Sequence, residues 1–300
     1  MPFRFYFFFF LFSFFFLFYP GTHPFYQIAA YNRSELFETK KNPNLQIRPI
    51  PYSENLYQPD ISALGSYIVE LNSFTPVYGK NQSTKFFPAS TTKIITALVA
   101  VDLYSHDDVI TVHNPKEEGQ TMGLSEGERI TVENLLYGML VYSGNDAAYA
   151  FANDYGYPAF IKKMNEKAKS LGMKNSTFSN PAGLDEYLQK STPADLAIAA
   201  RELIKNPYLR KMVGTKEIII SDVDYKTFHT LKNVNKLLGE IQGIGGLKTG
   251  YTENAGENLV SFYRMDGHDY IIVVMQSKDR FEDTKNIVTW IGDNVRFQNP

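Results

Sequence analysis

The 300-residue chain contains no cysteine, a single tryptophan and no long basic run. Without cysteine, disulfide bonds and thiolate metal sites are excluded. Lysine plus arginine number 30 and aspartate plus glutamate 32, which leaves a formal net charge of -2. This balance offers no electrostatic attraction to a polyanion, so we expect no nucleic-acid partner. No motif for a metal ion or an organic cofactor stands out, and we expect neither.

Hydrophobic residues are plentiful, at 44% of the chain, and can fill a sizeable core. The densest stretch lies at the N-terminus, where residues 5–18 are all Phe or Leu except Tyr6 and Ser13, with Arg4 just ahead. An apolar run of this length behind a positive charge is typical of a secretory signal and is shorter than a membrane span of roughly 18 residues. We therefore expect residues 1–19 to be a signal peptide or an N-terminal membrane anchor.

This leader predicts an extracytoplasmic protein, either secreted or attached to the outer face of the cytoplasmic membrane through residues 5–18. The segment 20–60 is rich in proline and polar residues, shows no sustained periodicity and is predicted to be a linker. The folded domain is expected to span residues 61–300. The prolines of the linker are Pro20, Pro24, Pro43, Pro49, Pro51 and Pro59.

Hydrophobic periodicity within the domain predicts strands first, then helices, then strands and a closing helix. Residues 65–72 and 75–79 form a predicted hairpin, and a buried helix begins just after Ser90. Thr131 and Thr192 are predicted helix N-caps, with further helices at residues 146–153 and 158–171. The later elements are predicted strands at 217–221, 225–229, 243–249, 258–264 and 270–275, and a helix at 280–295.

This order predicts an α+β fold, in which an antiparallel sheet of about five strands is sandwiched by helices. An all-helical lobe is inserted between the first and the last strands of the sheet.

Ser90 and Lys93 form a Ser-x-x-Lys motif at the start of the predicted buried helix. Side chains three residues apart lie on one helix face, so the amine can reach the hydroxyl. A serine becomes an effective nucleophile when a neighbouring base takes its proton. Lysine can be that base if burial or a nearby cation lowers its pKa. Taken alone, such a pair also occurs by chance in chains of this length.

A second motif, Ser143-Gly144-Asn145, lies on a turn between two predicted helices. In isolation it is better interpreted as an ordinary loop with a helix cap. Its position after Ser90 and inside the helical lobe favours a functional role. There the Ser143 hydroxyl can relay a proton, and the Asn145 amide can bind substrate or hold Lys93.

A third motif, Lys248-Thr249-Gly250, closes a predicted edge strand. A cation and a hydroxyl can bind a terminal carboxylate, and glycine leaves room for a substrate to approach. The alternative is a surface lysine followed by a turn. All three motifs in this order predict a serine acyl-transfer site of the kind found in penicillin-binding proteins and serine β-lactamases.

The chain resembles the D-alanyl-D-alanine carboxypeptidases, the low-molecular-mass penicillin-binding proteins of peptidase family S11. The similarity runs from about residue 64 to residue 295 and implies the β-lactamase/transpeptidase-like fold. Besides the three motifs, it rests on Pro88-Ala89, Leu135-Leu136-Tyr137-Gly138, Asp146-Ala147-Ala148, Asn180-Pro181-Ala182-Gly183-Leu184, Gly243-Ile244-Gly245-Gly246-Leu247, Tyr251-Thr252 and Ala255-Gly256.

The resemblance implies that Ser90 attacks the carbonyl between the two terminal D-alanines of a peptidoglycan stem peptide. Lys93 would be the base, and Ser143 would carry a proton to the leaving amine. The backbone N–H groups of Ser90 and Tyr251 would form the oxyanion hole.

Two further roles follow from the same resemblance. Lys248 and Thr249 would hold the substrate carboxylate, and Arg280 occupies the place of a carboxylate-binding arginine, although a surface charge at a helix start is an equal alternative. β-Lactam antibiotics would be covalent inhibitors. Many members carry a C-terminal β domain, which we do not expect here.

Three other functions share these residues or this fold. A serine β-lactamase would need a carboxylate to activate the deacylating water, and Asp185 and Glu186 lie in the corresponding region. A D,D-endopeptidase would use the same residues on cross-links. A non-catalytic sensor would bind a β-lactam or a muropeptide without turnover.

Overall fold

The computed structural model describes residues 2–17, 49–54, 57–115 and 118–298. The chain divides into two compact units, Met1–Arg48 and Pro49–Pro300. In the first unit the apolar run forms helix α1, Pro2–Leu17. Among the described residues, no helix is both long enough and apolar enough to cross a membrane. The predicted linker, residues 20–60, lies largely outside the described residues.

The second unit is built on a five-stranded antiparallel sheet, accompanied by three two-stranded sheets. The described strands are β1 Ile50–Ser53, β2 Gly65–Glu70, β3 Pro76–Lys80, β4 Val109–Thr111, β5 Arg129–Thr131, β6 Glu217–Ser221, β7 Phe228–Lys232, β8 Ile244–Thr252, β9 Gly256–Met265, β10 His268–Ser277 and β11 Val295–Gln298. The main sheet has the strand order β3-β2-β10-β9-β8, and the small sheets pair β1 with β11, β4 with β5 and β6 with β7.

The helices of this unit lie between β3 and β6 and after β10. They are α2 Lys93–Leu103, α3 Val132–Leu140, α4 Asn145–Tyr155, α5 Tyr157–Leu171, α6 Pro193–Lys205, α7 Pro207–Val213 and α8 Arg280–Asn294. A turn of 3₁₀ helix, Ala89–Thr92, precedes α2. The inserted helical lobe predicted from the sequence is thus present.

The central strand β10 explains why the sheet has helices on both faces. Its side chains alternate between two buried clusters, since neighbours along a strand point to opposite faces. Ile271 and Val273 belong to the core shared with the helical lobe, whereas Ile272 and Val274 pack with α8. Trp290 of α8 completes the second core. The predicted α+β sandwich is confirmed.

Local signals placed several elements correctly. The Thr131 hydroxyl accepts a hydrogen bond from the Asn134 N–H at 3.3 Å, and the Thr192 hydroxyl accepts one from the Asp195 N–H at 3.1 Å. Both are N-cap bonds that satisfy a free helical N–H group. The predicted hairpin of residues 65–79 is also present, since β2 pairs antiparallel with β3.

Other boundaries differ from the predictions. The strand predicted at residues 225–229 begins three residues later, because the Asp222 carboxylate accepts the N–H groups of Lys226 and Thr227 and holds a turn there, so that β7 begins at Phe228. Helix α7 was not predicted, although Asn206 caps it. Strand β1 falls in the range predicted as linker and pairs with β11.

Candidate active site

Ser90 lies in the turn that leads into α2. The turn Ala89–Thr92 is 3₁₀ helix, and the α-helix starts at Lys93 rather than directly after Ser90. The buried Ala89 has φ 48°, a left-handed conformation that is uncommon for a residue with a side chain. Its carbonyl packs on Gly183, where a Cβ atom would lie only 1.8 Å from the oxygen. Packing therefore holds the strained backbone immediately before Ser90 in place.

Lys93 is fully buried, and its amine contacts three oxygen atoms. Nζ lies 2.8 Å from Ser90 Oγ, 2.6 Å from Asn145 Oδ1 and 2.9 Å from the Ala182 carbonyl. The spacing of three residues thus brings amine and hydroxyl into hydrogen-bond contact, as the sequence predicted. The other two contacts fix the direction in which the amine points.

Two buried lysines sit in an environment that disfavours their charge. Burial lowers the pKa of Lys93 well below its ordinary 10.5; the nearby Lys248 lowers it further, and Asp146 acts in the opposite direction. Burial, together with the charge of Arg280, lowers the pKa of Lys248 to about 7. These shifts follow from the cost of desolvating a cation and from like-charge repulsion. Burial beside Ser90 therefore favours the neutral form of the Lys93 amine, which is the form that a general base requires.

Asn145 is the first residue of α4 and is held from two sides. Its Nδ2 donates to the Glu118 carbonyl at 2.8 Å, and its backbone N–H donates to the Gln120 carbonyl at 2.6 Å. Because the amide nitrogen is committed to Glu118, the amide oxygen faces Lys93. The second motif thereby orients the base through a side-chain acceptor.

Asp146 is a site residue to which the sequence analysis gave no separate role. Its buried carboxylate accepts four backbone N–H groups, three of which belong to the preceding loop and fix it onto the start of α4. Asn145, which precedes Asp146 in the sequence, is held by the same loop. The four donors, at 2.9–3.0 Å, are Met122, Gly123, Leu124 and Ala147.

Ser143 lies on the turn before α4, buried and with φ 69°. Its Oγ accepts a hydrogen bond of 2.8 Å from Lys248 Nζ, which also donates to the Thr249 carbonyl at 3.1 Å. The second and third motifs are therefore in direct contact. The lysine of the third motif is fully enclosed and is not the surface residue that the alternative interpretation required.

The third motif lies inside β8, which continues to Thr252, beyond the predicted end at residue 249. This strand is at the edge of the main sheet, as expected. A Cβ on Gly250 would lie 2.9 Å from the Ser90 nitrogen, so only glycine lets β8 approach the Ser90 backbone this closely. Thr249 is buried beside this contact, and the Tyr251 side chain is 62% exposed at the rim.

Arg280, the first residue of α8, lies against the same strand. Its Nη1 donates to the Gly250 carbonyl at 2.9 Å, and its Nε lies 3.8 Å from a Glu257 carboxylate oxygen. The Nε atom is buried and makes no hydrogen bond among the described residues. The charge predicted for carboxylate recognition is thus next to the third motif, where it also braces the strand.

A loop after α5 closes the far side of the site. The Asn180 side chain accepts the N–H groups of Gly183 and Leu184, and the Gln189 amide donates to Thr92 at 2.9 Å. This arrangement directs the Ala182 carbonyl at Lys93. The sequence gave the Asn-Pro-Ala-Gly-Leu string but no role for Ala182, since a backbone carbonyl leaves no residue-type signal.

The two carboxylates considered for water activation are both engaged elsewhere. Asp185 accepts the Thr252 hydroxyl at 2.7 Å and the Asn254 amide at 3.0 Å. Glu186 accepts the Asn180 amide at 2.8 Å. In the described ranges, no group of three or more histidine, aspartate or glutamate side chains is arranged to hold a metal ion.

The site as a whole has two hydrogen-bonded groups and one packed part. Ser90, Lys93 and Asn145 form one chain of side-chain hydrogen bonds, and Ser143 with Lys248 forms a second. Gly250 packs against the Ser90 backbone, and Arg280 donates to the Gly250 carbonyl.

Comparisons with known proteins identify the family of this chain. The family model of the D-alanyl-D-alanine carboxypeptidases, Peptidase S11, matches residues 53–279. The D-alanyl-D-alanine carboxypeptidase DacF of Bacillus subtilis is 38% identical over 202 residues, 64% of this chain. This chain spans about half, 52%, of that relative's length. A D-alanyl-D-alanine carboxypeptidase of a Streptomyces species is 32% identical over 73% of this chain and 82% of its own.

Solved structures show the same fold. The crystal structure of a Streptomyces DD-transpeptidase superimposes with a TM-score of 0.73 at 32% identity, covering 78% of this chain and 98% of the other. The D-alanyl-D-alanine carboxypeptidase DacD of Francisella tularensis gives 0.72 at 28% identity, covering 79% and 72%. With the family model matching most of its length, the chain belongs to the D-alanyl-D-alanine carboxypeptidases of peptidase family S11.

Proposed function

We propose that the protein is a serine-type D-alanyl-D-alanine carboxypeptidase that removes the terminal D-alanine from peptidoglycan stem peptides. The observation that carries the proposal is the 2.8 Å contact between Ser90 Oγ and the fully buried Lys93 amine. A lysine with a strongly lowered pKa, in contact with a serine hydroxyl, is a nucleophile–base pair. Family membership supplies the substrate class.

The contacts of Lys93 explain how it would act as a base. A neutral amine has two hydrogens and one lone pair. The Asn145 side-chain oxygen and the Ala182 carbonyl can only accept, so they take the two hydrogens. The lone pair then points at Ser90 Oγ and receives its proton as the oxygen bonds to the substrate carbonyl carbon.

Collapse of the tetrahedral intermediate breaks the bond between the carbonyl carbon and the D-alanine nitrogen. Ser143, whose hydroxyl contacts the Lys248 amine at 2.8 Å, would deliver a proton to that nitrogen. The proton taken by Lys93 would then restore the Ser143 hydroxyl and leave Lys93 neutral for the next step. D-Alanine leaves, and the acyl group stays on Ser90 as an ester. Water then attacks the ester, with Lys93 again accepting the proton.

Carboxylate recognition and charge stabilisation would come from β8. Lys248 and Thr249 would hold the substrate carboxylate, supported by the charge of Arg280. The backbone N–H groups of Ser90 and Tyr251 would hold the developing oxyanion, because β8 approaches Ser90 closely at Gly250. β-Lactams would acylate Ser90 by the same route.

Two alternatives use much of this site. A D,D-endopeptidase would cut cross-links with the same residues. A serine β-lactamase is disfavoured, since both Asp185 and Glu186 are engaged by protein amides and hydroxyls. A sensor without turnover is disfavoured by the intact contact between Ser90 and Lys93.

The proposed place of action is outside the cytoplasmic membrane. The apolar residues 5–18, which include most of α1, would direct export and would attach the protein to the outer face if the segment is retained. The observation behind this part is the run of Phe and Leu behind Arg4.

The test is D-alanine release from a peptide ending in D-Ala-D-Ala. We expect release by the wild-type chain and none by Ser90→Ala, with Ser83→Ala, an exposed serine of the preceding loop, as the matched control. Cleavage of a cross-linked dimeric muropeptide without release of terminal D-alanine would instead favour the endopeptidase. Release by a folded Ser90→Ala variant would overturn the proposal.

A further inference from the structure

The buried ion pair of His229 and Glu128 has no role in the chemistry above. His229, on β7, and Glu128, next to β5, are 6% and 7% exposed. The His229 Nε2 atom lies 2.7 Å from Glu128 Oε1, and its Nδ1 lies 3.1 Å from the Met122 carbonyl. Both ring nitrogens thus face oxygen acceptors.

These two contacts define the protonation of the ring. The Met122 carbonyl only accepts, so Nδ1 carries a hydrogen, and a carboxylate opposite Nε2 favours a second one. The hydrogen bond to Glu128 raises the pKa of His229 above its ordinary 6.5, against the opposing effect of burial. A doubly protonated ring can hold Glu128 and Met122 at the same time, whereas a neutral ring has one N–H to donate.

Met122 connects this pair to the second motif. Its backbone N–H donates to Asp146 Oδ1 at 3.0 Å. Its side chain fills the space left by two glycines: a Cβ on Gly138 would lie 2.1 Å from the Met122 sulfur, and a Cβ on Gly144 would lie 3.4 Å from Met122 Cγ. Met122 therefore lies directly against the turn that carries Ser143 and Asn145.

The segment that contains Met122, residues 118–124, also holds Asn145 directly. The Glu118 and Gln120 carbonyls accept the Asn145 side-chain and backbone N–H groups. Asp146 holds this segment from α4, and His229 holds it from β7. The orientation of Asn145 Oδ1 toward Lys93 depends on the segment staying in place.

We propose that His229 is a positioning residue: its ion pair with Glu128 aims the second N–H at the Met122 carbonyl and so keeps residues 118–124 under the Ser143-Gly144-Asn145 turn. This inference rests on the proposed function of that turn. Loss of the Met122 contact lets Asn145 shift, and the acylation step slows, because small displacements of a catalytic group cost about a hundredfold in rate.

Two variants separate the two contacts. In His229→Gln, the amide nitrogen replaces Nε2 and keeps a donor for Glu128, but the Met122 carbonyl loses its partner. In His229→Asn, the amide nitrogen replaces Nδ1 and keeps a donor for Met122, but the buried Glu128 loses its partner. Leu231→Ala is the control, since Leu231 is buried on the same strand and its loss lowers stability without touching either contact.

The experiment measures the acylation rate constant and the dissociation constant for penicillin separately in the full chain, with melting temperatures. We expect His229→Gln to acylate about tenfold or more slowly with nearly unchanged penicillin affinity. His229→Asn should lose more thermal stability than His229→Gln but acylate faster than that variant. Leu231→Ala should acylate like the wild type. Hydrogen exchange of the Gly123 and Leu124 amides should accelerate in His229→Gln.

Wild-type acylation and exchange protection in a folded His229→Gln would overturn the inference. So would an equal loss of acylation in Leu231→Ala, because stability alone would then explain the effect. Should His229→Asn fail to fold, the acylation rate and hydrogen exchange of His229→Gln still test whether the Met122 contact positions the turn. Failure of the wild type to react with penicillin would count against the proposed function instead.

Discussion

Lys248 donates a hydrogen bond of 2.8 Å to Ser143, a residue 105 positions earlier in the chain. The contact joins the edge strand β8 to the turn before α4, and both side chains are buried. In the proposed reaction, one lysine thereby contacts the hydroxyl that protonates the leaving amine and lies where the substrate carboxylate binds. Its charge therefore matters to two steps.

The pH dependence of acylation tests that charge. The pKa of Lys248 is about 7, so the free enzyme loses this cation as pH rises through that value. We predict that the second-order rate constant for penicillin acylation falls above pH 7. In Lys248→Arg the guanidinium stays charged, so the variant, although slower, should lack this decline. Identical high-pH declines in both proteins would contradict the assignment.

Replacing Lys93 tests the base. Lys93→Met fills the same space but cannot accept a proton, and Lys93→Arg cannot become neutral. Because general bases contribute about 10²- to 10⁴-fold, we predict acylation slower by that factor in both variants. Stopped-flow mixing with a chromogenic β-lactam measures the rate.

The wild-type protein supplies a second check on Lys93. Its pKa is well below 10.5, so the rising part of the acylation profile must also lie well below pH 10.5. Acylation that increases only as an ordinary lysine deprotonates would be inconsistent with Lys93 as the base.

Gly183→Ala tests the packing behind Ser90. The new Cβ would lie 1.8 Å from the Ala89 carbonyl, at a position with φ 91°. We predict about 1–3 kcal/mol lower stability from the backbone strain, and acylation at least tenfold slower because Ala89 must move.

Gly267→Ala is the matched control for that change. Gly267 has φ 79° and no heavy atom within 4 Å of an added Cβ, so it carries the backbone strain without the clash. Thermal melting should show a loss of stability in both variants, whereas penicillin acylation should slow only in Gly183→Ala. Equal acylation in the two would show that the Ala89 contact does not position Ser90.

Glu186→Gln addresses the β-lactamase alternative. Glutamine keeps an oxygen acceptor for the Asn180 amide but cannot act as a base. We predict a deacylation rate within about twofold of the wild type, whereas loss of a water-activating base would slow it by about 10²-fold or more. Decay of the penicillin adduct, followed by mass spectrometry, distinguishes the two.

The sequence predicted the parts of the fold that repeat a local rule. The continuous apolar run of β10 and the N-caps Thr131 and Thr192 place a strand and two helix starts. Strand β6 was placed correctly, but β7 was predicted three residues too early, since the Asp222 turn depends on side-chain-to-backbone bonds with no periodic signal. Helix α7 is a single short segment of seven residues, too short to show a period.

For the candidate site, residue types with a known chemistry could be predicted, whereas backbone partners could not. The sequence named Ser90 and Lys93 because a spacing of three places them on one helix face. It gave no role to the Ala182 carbonyl, and none to Asp146 as an acceptor for a distant loop. These contacts arise from tertiary packing of segments far apart in the chain.

The central claim is that Ser90 is the residue acylated, with Lys93 as its base. Time-resolved intact mass of the full chain mixed with penicillin, followed by peptide mapping, tests it most directly. We predict a long-lived adduct of one penicillin per chain on the peptide containing Ser90, absent in Ser90→Ala and formed slowly in Lys93→Met. An adduct on another residue, or one that persists in a folded Ser90→Ala, would contradict the account.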